Sequence, residues 1–226
     1  MLFRKAYPSG VGGKTRNSRR RWIEKEDIFY YIYGILHSEE YRSRFKANLK
    51  KELPRIPFAD DFDAFYHAGK ALAELHLNYE TAELYPLTIA GDAENPGPVE
   101  KLRWGKKRNP ETGKTEPDRS VLVYNSRLTF KDIPEMAHRY VVNGRSPLEW
   151  MIDRYQVKTD PASGIVNDPN MYSDDPLYIA NLVRRLVTVS VETMKIVDSL
   201  TKINEKDCYI DFPDAWRVQK DSAESD

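Results

Sequence analysis

The sequence predicts an α+β fold in which helical segments flank a small, mainly antiparallel inserted sheet. Apolar residues recur at helical spacing in the first and last thirds of the chain. The middle is broken by Pro86, Gly91, Pro96, Gly97 and Pro98 and then carries short alternating runs, the pattern of strands and turns.

Residues 1–22 read as a basic flexible linker, with Pro8, Gly10, Gly12 and Gly13 and few apolar anchors. A helical stretch follows over 23–82. Its first helix carries Ile28, Ile32 and Ile35 on one face and ends near His37. Ser38 is suited to cap a second, with Glu39 and Glu40 in the first turn where the helix dipole favours acids. That helix presents Tyr41, Phe45 and Leu49, and Pro54 stops it. Beyond the extended link at Pro54 and Pro57, a third helix opens at Asp60 with Phe62, Phe65, Gly69, Leu72 and Leu75 at helical spacing.

The β-rich part spans 83–145. VEKLRW (99–104) and RSVLVYN (119–125) are predicted strands, with GKKRNPETGKTEPD (105–118) as a long basic hairpin loop between them. LTF (128–130) and RYVV (139–142) are weaker strand candidates around a short helical turn at Ile133–Ala137. The chain is helical again over 146–204. Ser146 caps SPLEWMIDRY with Pro147 at the first helical position, 156–176 is a loop, and the longest helix runs from Asp175 and Pro176 to about Leu200. Residues 205–226 form an acidic tail.

The 226 residues carry 35 basic and 35 acidic side chains, which argues against a polybasic membrane protein or a histone-like one. The balance hides segregation. Residues 1–22 hold Arg4, Lys5, Lys14, Arg16, Arg19, Arg20 and Arg21 and no acid, whereas 59–100 are acidic with Lys70 alone opposing. Residues 101–119 turn basic again. A neutral protein with a positive face can still bind a polyanion. The single cysteine, Cys208, excludes a disulfide framework and a cysteine-based zinc site. No apolar run is long enough to span a bilayer, so a cytoplasmic protein without a membrane partner is expected.

Catalytic signatures fail one by one. PSGVGGKT (8–15) ends like a phosphate-binding loop, but Pro8 stands where the first Gly belongs and only seven residues precede it. NDPN (167–170) lacks the second Pro and the aromatic of an amino-methyltransferase tetrapeptide. His37, His67, His76 and His138 show no metal-protease spacing, so no metal site is expected. Asp60, Asp61 and Asp63 fit helix capping. Asp118 lacks the downstream Glu-x-Lys of a metal-dependent nuclease. The chain is expected to be non-catalytic.

The hairpin is the stronger signal. Arg103, Lys106, Lys107, Arg108, Asn109, Lys114, Arg119, Asn125 and Arg127 are the candidate DNA-binding residues, with Lys101, Trp104 and Tyr124 beside them. A two-stranded ribbon fits the major groove, and Arg, Lys and Asn have the donors that read base edges. An ordinary exposed hairpin kept soluble by lysines gives the same pattern.

Three blocks carry a family resemblance: EDIFYYIYGILHSEEYRSRFKANLKKELPRIPF (26–58), VEKLRW with VLVYNSRLTFKDIP (99–134), and VNGRSPLEWMIDRYQVKTDPASGIVNDPN with VTVSVETMKIV (142–197). Together the chain resembles the C-terminal target recognition domain of Type ISP restriction-modification enzymes, over about 25–200. The resemblance implies that residues 23–204 are a specificity domain directing adenine methylation and ATP-dependent restriction. It also implies that S-adenosylmethionine, ATP and Mg belong to the parent enzyme and that this chain holds no cofactor. Double-stranded DNA and a methyltransferase domain or subunit are the implied partners, and a monomer is expected. The alternative is a non-catalytic module that docks on the methyltransferase through helices 26–37 and 177–200, with base contacts made elsewhere.

Overall fold

The computed structural model of the chain describes residues 23–203, so the basic linker 1–22 with its phosphate-loop-like run, Cys208 and the acidic tail 205–226 lie outside the described residues. The predicted α+β class is the one observed. The chain divides into two compact units. One runs to Ala71 and resumes at Leu200, and the other is Leu72–Ser199.

The first unit is built around helix α1 (Lys25–His37), the short α2 (Glu39–Arg44) and the start of α3 (Phe62–Leu77). A capping box between Glu24 and Asp27 starts α1, and Ser38 caps α2 by accepting from the Tyr41 N–H. The second helix stops at Arg44, earlier than the apolar spacing suggests, and the chain continues through turns to Lys51. Asp61 accepts from the Ala64 N–H at 2.9 Å, which accounts for part of the acidic run at the start of α3 by capping. Tyr31, Ile35, Tyr41, Phe62 and Phe65 form the core, and Tyr31 stacks on Phe62 at 4.8 Å. Two phenols then pin the proline link. Tyr31 donates to the Pro57 carbonyl and accepts from the Ala59 N–H, both at 2.7 Å, while Tyr41 donates to the Arg55 carbonyl at 2.7 Å. Gly34 and Gly69 let α1 and α3 meet backbone to backbone. A Cβ at Gly69 would lie 1.7 Å from the Tyr30 carbonyl oxygen, and one at Gly34 would lie 2.2 Å from that of Phe65.

The second unit holds an antiparallel four-stranded sheet in the order β1–β4–β3–β2, from β1 (Thr88–Ala90), β2 (Arg103–Arg108), β3 (Thr115–Val123) and β4 (Thr129–Lys131). Around it stand α4 (Met136–Arg139), α5 (Pro147–Arg154) and the long α6 (Tyr178–Asp198), with a hairpin of β5 (Lys158–Thr159) and β6 (Val166–Asn167). Leu122, Leu128 and Phe130 of the sheet region pack in one core with Leu148, Met151, Leu182, Val183 and Val187. Full burial of each such side chain contributes about 1.5–3 kcal/mol. The buried polar side chains of α6, Ser190 and Thr193, are satisfied. Ser190 donates to the Leu186 carbonyl at 2.7 Å, and Thr193 Oγ1 lies 2.8 Å from His76 Nε2. Ser146 and Glu149 form a capping box at α5, with Pro147 in the first turn as the sequence predicts.

The structure differs from the sequence reading in several places. The first predicted strand is displaced toward the C-terminus and the basic loop shrinks, because the ladder continues as far as Arg108 opposite Thr115. Pro117 sits within β3 without cost, since β4 pairs only with Leu122 and Val123 and leaves the outer edge there open. RYVV is not a strand: Arg139 ends α4, and Val142 enters a tight turn with Asn143 and Gly144 at φ 50° and 82°. Thr88–Ala90 pairs with β4 inside a stretch the prolines marked as loop, and the 156–176 loop contains β5 and β6. Finally, α6 begins at Tyr178 rather than at Pro176, with Asp175 accepting from the Leu177 N–H at 2.8 Å.

Candidate nucleic-acid interface

The hairpin formed by β2 and β3 carries Arg103, Lys106, Lys107, Arg108, Lys114 and Arg119. Between Trp104 and Gly105 its register shifts, so that Trp104 pairs with Leu122 but Gly105 with Asp118. Arg119, Ser120 and Val121 therefore bulge from β3, a device that bends and re-aims a strand. The bulge is tied down. Asp118 accepts from the Ser120 N–H at 3.0 Å and from its hydroxyl at 2.6 Å, and the Ser120 carbonyl accepts from Ile133 N–H at 3.0 Å. The two bonds from Ser120 hold the Asp118 carboxyl below its usual range. His138 Nε2–H donates to the Arg119 carbonyl at 3.0 Å, since a carbonyl can only accept. Trp104 meets the His138 ring edge-on at 5.4 Å.

Beyond the bulge, both faces of the ribbon are exposed, and Lys106, Lys107 and Arg108 all project into solvent. The tip closes through Asn109, whose backbone N–H donates to Lys114 and whose carbonyl accepts from Gly113. Its side-chain oxygen accepts from the Glu111 and Thr112 N–H groups at 2.9 and 3.1 Å, and its amide donates to Glu116 at 3.2 Å. This is an Asx-type turn that holds the loop.

The nine predicted residues fall into distinct situations. The side chains of Arg103, Lys106, Lys114 and Arg127 are exposed and make no hydrogen bond or ion pair with another described residue. Lys107 lies 3.8 Å from Glu116, at the outer limit of an ion pair. Arg108 Nε donates to the Gly113 carbonyl at 3.2 Å and keeps its remaining donors outward. Arg119 is bound to Glu149 at 2.7 Å. Asn125 is fully occupied: its amide donates to the Pro96 and Pro98 carbonyls at 2.7 and 3.0 Å, and its oxygen accepts from Arg127 and Leu128 N–H groups at 2.8 and 2.9 Å. Asn109 and Asn125 thus hold loops, while Arg103, Lys106, Lys114 and Arg127 keep their charged ends free. Trp104 is half-buried and Tyr124 is in the core, where burial pushes its hydroxyl up to about 12.

The sequence reading did not include Lys158. An antiparallel bridge between Lys101 and Gln156 and a bond from Val157 N–H to the Glu100 carbonyl at 3.1 Å bring its strand beside the hairpin base. No local pattern announces this pairing. Among the described residues, no group of three or more His, Cys, Asp or Glu side chains is placed to hold a metal ion, and no helix is long and apolar enough to cross a membrane.

Residues 8–182 match the family described as the Type ISP C-terminal specificity domain. Three solved structures are similar. A nuclease-deletion mutant of the Type ISP restriction-modification enzyme LlaGI, in complex with a DNA substrate mimic, is 42% identical with a TM-score of 0.70, over 80% of this chain and 14% of that one. The ATP-dependent Type ISP enzyme LlaBIII bound to DNA is 39% identical with a TM-score of 0.71, over 80% and 12%. A DrdV–DNA complex is 31% identical with a TM-score of 0.64, over 79% and 18%. The chain therefore spans less than a fifth of the length of each relative. No curated protein matches it.

Proposed function

The chain belongs to the Type ISP C-terminal specificity domain family, and from that premise we propose that it reads the DNA target of a larger restriction-modification enzyme. The observation that carries this reading is the ribbon beyond Gly105, basic, exposed on both faces and re-aimed by a fixed bulge. A ribbon of this width enters the major groove, where each base pair presents its own pattern of donors and acceptors. Arg103 and Arg127 have forked guanidinium ends with no competing partner, which suits bidentate contact with a purine edge. Lys106 and Lys114 are point charges on flexible stems and suit phosphates. Asn109 and Asn125 hold the loops from which those cations project.

In this reading the chemistry lies elsewhere in the enzyme. Adenine methylation with S-adenosylmethionine, and restriction driven by ATP and Mg, are supplied by other segments or subunits, with which this cytoplasmic chain assembles as a single copy. The fifth or less of each DNA-bound relative that the chain matches supports that division of labour.

Selection from a pool of random duplexes tests the reading. The chain is expected to enrich one sequence class at low salt, and a variant with Arg103, Lys106 and Arg127 changed to Ser is expected to enrich none. Enrichment of the same class by both proteins would move the reading element off the hairpin.

A further inference from the structure

At the base of the hairpin lies an open groove of about 550 Å³. Its lining includes Lys101, Trp104, the Gly144–Arg145 turn, Glu149 of α5 and Lys158. Its acids are already committed. Glu149 is bound to Arg119 at 2.7 Å, and Asp153 is shared by Arg145 at 3.2 Å and Arg154 at 3.6 Å. Those guanidiniums are held in turn, Arg145 lying over the Trp150 ring at 5.0 Å and Arg154 at 5.7 Å. The Trp150 N–H donates to the Val142 carbonyl at 2.8 Å and locks the turn at the rim. What remains uncommitted is positive: the Lys101 and Lys158 ammonium groups are exposed and make no ion pair or hydrogen bond with a described residue.

We propose that this groove seats the sugar–phosphate backbone of duplex DNA beside the segment the hairpin reads, with Lys101 and Lys158 as its phosphate ligands. The proposal rests on the hairpin reading and extends it to a surface which that reading does not use. Three features favour a phosphodiester over a small anion. The groove is open rather than enclosed, its two free charges come from segments far apart in sequence, and its lining includes Trp104 of β2. The six residues of that strand extend about 20 Å, the rise of about six base pairs. One duplex can therefore meet the hairpin tip and the groove together. Contacts of this kind fix register without reading sequence.

The test compares the chain with two lysine pairs replaced by glutamine, Lys101→Gln with Lys158→Gln, and Lys106→Gln with Lys114→Gln. Binding to random-sequence duplexes is measured across a range of salt. Each phosphate contact contributes about 0.9 to the slope of log K against log salt, so the groove pair is expected to make the slope shallower by about 2. It should weaken all sequences by one common factor. The pair Lys101→Arg and Lys158→Arg keeps the charges and is expected to keep the slope; a loss there equal to that of the glutamine pair would signal a damaged groove and overturn the assignment. An unchanged slope in the groove pair, with a shallower one in the hairpin pair, overturns the groove and leaves the hairpin reading standing. If neither pair changes the slope, or the unaltered chain fails to bind duplex at low salt, both fall together.

Discussion

Arg119 Nη2 and Glu149 Oε1 lie 2.7 Å apart, joining the bulge of β3 to the first turn of α5. The second oxygen of Glu149 accepts from the Ser146 N–H at 2.9 Å, so one carboxylate both closes the capping box and anchors the hairpin base. Replacing it removes two functions of different size. Glu149→Ala is expected to lower stability by about 1–2 kcal/mol, most of it the lost cap. Glu149→Gln keeps an acceptor for Ser146 and loses the ion pair, which is half-exposed and contributes under about 1 kcal/mol. Urea unfolding of the two variants checks the order; equal losses would mean that the ion pair, not the cap, dominates.

Asn125 has a similar holding role just past the end of β3. Asn125→Ala would leave the Arg127 and Leu128 N–H groups and two proline carbonyls without partners. Unsatisfied groups cost about 1–3 kcal/mol when water cannot replace the bond, and Leu128 is buried. A loss of that size in thermal or urea unfolding is expected. Unchanged stability combined with an altered DNA preference would make Asn125 a base-reading residue instead.

These two residues also show how far the sequence could be read. The Ser146–Pro147–Glu149 start of α5 was legible because a cap depends only on neighbours along the chain. The hairpin's existence was legible from Leu122 and the basic run, but its length was not. Past Gly105 neither strand buries an apolar side chain, so no alternation marks where pairing continues. Asn109 and Asn125 carry an amide that can serve a base or a turn equally well, and only the positions of their partners decide. The groove was not legible at all, because Lys101 and Lys158 come together through backbone pairing between segments far apart in sequence.

Stability is expected to fall as pH drops from about 7.5 toward 5.5. Burial holds His138 and His37 below the ordinary histidine value of 6.5. In His138 the Nδ1 atom is buried without a partner, so protonation would add an unpaired N–H beside Trp104. A histidine pKa lowered by folding means that the unfolded chain binds more protons in this window. Its contribution is complete above 6.5 and is lost as pH falls through the lower folded value. The depressed carboxyls of Asp118, Asp160 and Asp198 act in the same direction but only in the acid range below it. His138→Gln is expected to flatten the dependence of melting temperature on pH without abolishing it, since His37 remains. An unaltered pH profile in that variant would mean that His138 titrates alike in the folded and the unfolded chain.

The sharpest separation of base reading from attraction comes from methyl transfer by the complete enzyme to a panel of single-base variants of its site. Arg103 and Arg127 are unpartnered guanidiniums, and Arg108 keeps its outer donors free beyond its bond to Gly113. Each lost bidentate contact costs about 1–3 kcal/mol of discrimination at one position. Alanine at any of the three that touches a base should therefore raise methylation of a particular wrong base relative to the cognate one by roughly five- to 150-fold. Alanine at Lys106, Lys107 or Lys114 should lower methylation of every site by a common factor and flatten its salt dependence. Lys107 should show the smallest effect of the three, because Glu116 already offsets part of its charge. Asn109→Ala should act through the loop, loosening preference at several positions at once, since its oxygen and amide bind Glu111, Thr112 and Glu116. If the arginine variants lower all sites evenly, the ribbon is a phosphate clamp. The base contacts would then be made elsewhere, and docking on the methyltransferase would become the better account of this chain.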